Sequence, residues 1–132
     1  MRLILTLSAL LLATACVRDE TVAAYGGADH VWQLSSIDGV PVSYAATLYL
    51  TPDGQVSGAG PCNDFAARQS APYPWFTLER FVATEIYCDK LADEQTYFTA
   101  LQEMNLSEVS GTRMILSNDA KREMLFTAAT GG

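Results

Sequence analysis

Period-two alternation of apolar residues, interrupted by one stretch of helical period, constrains this chain most. Trp32 and Leu34 alternate with Gln33 and Ser35, and Leu48 and Leu50 alternate with Thr47, Tyr49 and Thr51. Phe76, Leu78 and Val82 share a parity, as do Met114 with Leu116 and Met124 with Phe126. Side chains on a strand point alternately to its two faces, so each run reads as a half-buried strand. Pro52-Asp53-Gly54 divides the Leu48/Leu50 run from Gln55-Val56-Ser57 as a hairpin turn, with Pro presetting φ and Gly supplying a positive one. Asn118-Asp119-Ala120-Lys121 divides the last two strands, and without Gly its turn type stays open. Gly58-Ala59-Gly60 reads as a bulge or a sharp bend. Between the strands, Leu91, Phe98, Leu101 and Met104, with Tyr97 beside them, make one apolar stripe at a 3.6-residue period. Asp89 is the expected N-cap, and Asp93 and Glu94 place negative charge near the positive end of the helix. Short strands near Leu106 to Val109, Arg113 to Ser117 and Glu123 to Thr127 follow. The expected fold is mainly β: a small curled antiparallel sheet or partly closed barrel with one helix between the strands.

The front of the chain is an address. Arg2 gives a positive start, and Leu3 to Leu12 form an apolar run shorter than the roughly 20 residues a membrane span requires. Ala13-Thr14-Ala15-Cys16 resembles the lipobox of bacterial lipoproteins, with Ala13 where Leu is commoner. The resemblance implies removal of residues 1–15 as a signal peptide, a diacylglycerol thioether on Cys16 and acylation of its new amine. Val17, in place of Asp, implies the outer membrane of a Gram-negative host, with the domain facing the periplasm. Ordinary cleavage after Ala15, leaving Cys16 a free thiol, is the competing reading. Two or three acyl chains hold firmly where one is reversible. Residues 16–29, the lipidated Cys and a stretch rich in charge and small residues, read as a flexible tether; as a coil, residues 17–29 reach roughly 20 Å. The domain proper then runs over 30–129.

Lys and Arg number 8 against 15 Asp and Glu, for a net charge of -7, which argues against a nucleic-acid partner. With Cys16 set aside, Cys62 and Cys88 are an even pair in an oxidising compartment, so a disulfide is expected; two buried thiols are the alternative. His30, the only histidine, stands where tether meets strand and reads as solvated, with no partners at zinc-ligand spacing. Neither glycine-rich nucleotide loop occurs. Asp89, Asp93 and Glu94 lack the spacing of a calcium loop, so no metal or cofactor is expected. Tyr73 and Trp75, between Pro72 and Phe76, read first as cover for the edge of the core and second as a rigid anchor for a partner.

Trp32-Gln33-Leu34, Ile37-Asp38-Gly39-Val40-Pro41-Val42, Gly54-Gln55-Val56-Ser57-Gly58, Pro61-Cys62-Asn63-Asp64-Phe65 and Thr84-Glu85-Ile86-Tyr87-Cys88, in that order and followed by a helix and Met124-Leu125-Phe126, resemble the META domain of HslJ-like envelope proteins. The likeness covers about residues 31–127. Where the family usually has Gly and then Tyr after the Phe, this chain has Ala67 and Gln69. The resemblance implies a small β domain with a helix, exported and often lipid-anchored, with no known reaction and a general link to envelope stress and antibiotic resistance. The expected task is therefore non-enzymatic: binding an envelope protein or small ligand, or supporting the envelope under stress. Two other classes stand beside it. One is an inhibitor-like module presenting the Tyr73 to Trp75 loop to an envelope-targeted hydrolase; the other is an enzyme built on a close pair of carboxylates.

Overall fold

The computed structural model describes residues 18–130; Cys16 and the leader lie outside the described residues. The first strands are β1 (Trp32–Ile37), β2 (Val40–Pro41), β3 (Thr47–Leu50), β4 (Gln55–Ala59), β5 (Asp64–Arg68) and β6 (Glu79–Ala83), of which β2 and β5 lie outside the runs whose alternation marks them in the sequence. The helix α1 (Leu91–Glu103) follows, then β7 (Leu106–Ser110), β8 (Arg113–Ser117) and β9 (Glu123–Ala128). All pairings are antiparallel, and eight strands run in the order β6-β5-β4-β3-β1-β9-β8-β7, with β2 paired to β1 alone. Register shifts between Leu34 and Ser36 and between Ala66 and Arg68 mark bulges, which bend a sheet and increase its twist. The result is a curled half-barrel with α1 inside the curl, its Tyr97 and Leu101 fully buried against Phe126 and the rest of the core.

The end strands do not pair with each other. The segment after Tyr73 fills part of the gap, with Ser107 N donating to Pro74 O (2.7 Å) and Phe76 N to Asn105 O (2.9 Å). Inward side chains at every second position of the strands, Trp32, Leu48, Leu50, Met114, Leu116, Met124 and Phe126 among them, are at most 2% exposed. Trp32 satisfies its indole N–H on Gly27 O at 2.8 Å, and the Tyr97 hydroxyl donates to Thr47 O at 2.7 Å. Burial pushes the Tyr97 phenol far above its ordinary titration range, with Tyr44 adding to the shift.

Four local readings are corrected. The stretch expected to be a flexible tether is packed from about residue 20: Val22–Tyr25 form a 3-10 turn with Val22 and Ala23 buried, and Gly27 N donates to Val22 O. Apolar Val22 has core to cover, and that outweighs the polar composition around it. Asp89 does not cap α1; Lys90 holds the N-cap position without a side-chain bond. Leu78 precedes β6 rather than lying in it, and Phe76 is packed under the gap. His30 is half-buried, its ring edge-on to Trp32 at 5.2 Å. Among the described residues no helix is long and apolar enough to cross a membrane.

Candidate functional site

At the end of the half-barrel beside β6, the two cysteine motifs meet the first turn of α1. Cys62 and Cys88 form a disulfide across a sequence separation of 26, with Cα atoms 5.6 Å apart. It fastens the start of β5 to the loop 84–88. Asn63, 5% exposed, fixes the same loop from below. Its Oδ1 accepts from Ile86 N (2.6 Å) and Thr84 Oγ1 (2.9 Å), while its Nδ2 donates to Ile86 O (3.0 Å) and Glu94 Oε2 (2.6 Å). Glu94 Oε1 in turn accepts from Cys62 N (3.0 Å) and Asn63 N (2.5 Å). A buried polar group is tolerated when its partners are complete, and here both carboxylate oxygens and all of the Asn63 amide are engaged.

Glycine keeps this centre compact. A Cβ on Gly60 would stand 2.6 Å from Glu94 Oε1, and one on Gly58 would collide with Thr47 O and the Phe65 ring. Gly58 therefore lies within β4 as a close-approach site, not as a bend. Gln69 is 2% exposed, and its Oε1 accepts from Ala71 N (3.1 Å) and Thr77 N (2.9 Å), holding the crossing toward β6.

Above the network lies a groove of about 430 Å³ between β6, the loop and α1, lined by Phe81, Ile86, Tyr87, Leu91, Gln95 and Phe98 with Asn63 and Glu94 at its base. Phe65, Phe81 and Phe98 pack against one another with ring centroids 5.0 to 5.3 Å apart. Ile86 and Tyr87 are 62% and 81% exposed on a backbone pinned from two sides. Such surface suits contact with apolar or aromatic groups. Across α1 a second crevice of about 350 Å³ holds Tyr44, Asp93, Asp38 and Arg122. There Arg122 bridges Asp38 (3.0 Å) and Glu103 (2.7 Å), and burial, with Asp93, raises the Tyr44 phenol.

Asp93 and Glu94 thus face different crevices, and Asp89 stays exposed. Among the described residues no group of three or more His, Cys, Asp or Glu is placed to hold a metal. Tyr73 and Trp75 lie apart from the disulfide end. The Tyr73 ring is half-buried and stacked on Tyr25 at 4.4 Å, and Trp75 is 55% exposed. Ile86 and Tyr87 carry the disulfide-side surface and Glu94 supports it from within, whereas the sequence marks Glu94 only as a helix-start charge and Ile86 and Tyr87 only as part of a motif. The signal was the phase of Glu94, three and seven residues before Tyr97 and Leu101 on the buried helix face.

Among solved structures, the fold is shared with an NMR structure of a protein from Burkholderia xenovorans (20% identity, TM-score 0.67), the match covering 97% of this chain and 100% of that one. It is shared too with a crystal structure of a DUF4847 family protein from Bacteroides vulgatus ATCC 8482, at 11% identity and a TM-score of 0.69 over 84% and 99% of the two chains. Among curated proteins no match is found. The family profile described as META domain matches residues 27–131, most of the chain, over the same strands and helix that build the half-barrel. The chain belongs to the META domain family.

Proposed function

We propose that this is a lipid-anchored protein of the bacterial envelope, held at the outer membrane through acylated Cys16, whose META domain works by binding and not by catalysis. Its ligand is an envelope component, protein or small molecule, that offers an apolar group to the groove beside Ile86 and Tyr87, and its role is support of the envelope under stress or antibiotic challenge. One observation carries binding over catalysis: Glu94, the buried acid beside the groove, has both oxygens taken by N–H donors that hold the loop, so it serves the shape of the surface. The test compares mature lipidated protein with an Ile86→Ser, Tyr87→Ala variant in capture from detergent-solubilised envelopes. Loss of a specific companion in the variant supports the reading, and identical capture removes the groove from it. Palmitate labelling that is present in the intact chain and absent in Cys16→Ser tests the anchor.

The inhibitor-like reading gains from a different loop than Tyr73 to Trp75. Residues 85–87 are braced by Asn63 and by the disulfide and present Tyr87, and a prestiffened loop loses little entropy on binding. Inhibition of an envelope-targeted hydrolase that Tyr87→Ala abolishes would favour it.

A further inference from the structure

Resting on the proposed anchoring at Cys16, we infer that the Tyr25–Trp75 face of the domain lies against the phospholipid headgroup layer. Glu20 is fastened to this face: Tyr73 N donates to Glu20 O at 2.6 Å, and the Tyr25 ring stacks on Tyr73 at 4.4 Å. Four peptide steps separate Glu20 from Cys16, a reach of at most about 14 Å. An acylated Cys16 therefore brings this end of the half-barrel to the headgroups and turns the Cys62–Cys88 end outward. The surface so delivered carries the half-exposed Tyr25 and the 55% exposed Trp75, side chains with an apolar body and a polar tip that favour the membrane–water boundary. Nearby Asp19, Glu20 and Glu108 are acidic, so the contact draws on aromatic insertion and not on attraction to anionic lipid.

The chain contains two tryptophans, and Trp32 is fully buried, so it contributes a constant background and only Trp75 is open to quenching from the lipid. Mature acylated protein is placed in phosphatidylcholine vesicles carrying spin labels at a shallow or a deep acyl position. The expected result is a blue shift and loss of Trp75 emission, greater with the shallow label. The Trp75→Phe protein should show no quenching, and inserting about ten Gly and Ser residues between Val17 and Arg18 should relieve it by lengthening the link. Unquenched Trp75 in acylated, vesicle-bound protein overturns the inference while leaving the anchor intact. A mass without acyl chains overturns both. Trp75 that is shielded in native envelopes yet unquenched on vesicles assigns the face to a protein and likewise overturns it.

Discussion

Glu94 shows how one side chain sets the form of a whole end of this domain. Truncation in Glu94→Ala strands Cys62 N, Asn63 N and the Asn63 amide without their acceptor, and an expected loss of about 3–5 kcal/mol follows, measured by urea unfolding. Gly60→Ala attacks the same centre sterically and should cost about 1–3 kcal/mol, with no positive φ to complicate its interpretation. Tyr97 adds a pH signature. Its folded titration point lies above the ordinary value of 10.0, so the folded state holds the proton that the unfolded chain gives up; the stabilisation is complete below pH 10 and declines as pH rises beyond it. Tyr97→Phe should flatten that alkaline limb in urea midpoints while losing about 1 kcal/mol near neutrality with the bond to Thr47 O. At this scale the sequence was only partly legible. Glu94 satisfied a rule about helix starts so well that its place on the buried face went unread, and nothing in a single sequence says which donors a buried carboxylate will meet.

Elements were more legible than residues, because periodicity reports burial directly. Most alternating runs became strands and the helical stripe became α1, whereas Phe76 and Leu78 stayed outside β6, β5 formed without a marked alternation, and element ends depended on chain chemistry that composition does not display. The turn Asp38-Gly39 between β1 and β2 has φ of 51° and 78°, as its Asp-Gly pair should have signalled. Between β8 and β9, the Asn118 side chain replaces a glycine's contribution by accepting from Ala120 N and Arg122 N, while Lys121 takes the positive φ. Asp38 then ties its turn to β9, accepting from Glu123 N at 3.0 Å and pairing with Arg122. The Glu123 amide, first, and then Arg122 hold its carboxyl below the ordinary 3.8, so this stabilisation exists above pH 3.8 and disappears as pH falls through the lowered folded value. Asp38→Asn should make the acid limb of the stability curve shallower. The disulfide acts between elements as well: closing a 26-residue separation is worth about 3.5 kcal/mol in the chain-entropy account, and the Cys62→Ser, Cys88→Ser protein should unfold at correspondingly lower urea.

For the molecule as a whole, the half-barrel was foreseeable but its completion was not. Strands that alternate along one face must curl around a core, yet the sealing of that core falls to segments without period: Val22 beneath the first turn, and Pro74 and Phe76 beside β7. Short polar stretches with one buried apolar residue look like linkers in any sequence. A chain beginning at Ala28 should consequently be less stable by about 3–5 kcal/mol, from the uncovered Val22 site and from the Trp32 indole N–H left without Gly27 O, seen as a lower Tm in calorimetry. The far border of the sheet has its own consequence. Arg80 in β6 takes a φ of 55°, which breaks the straightness of the strand just where its outer side has no neighbour. A crooked, charged margin bearing Glu79 and Arg80 makes a poor template for a second chain to zip onto, so crowding alone does not stitch these molecules together rim to rim.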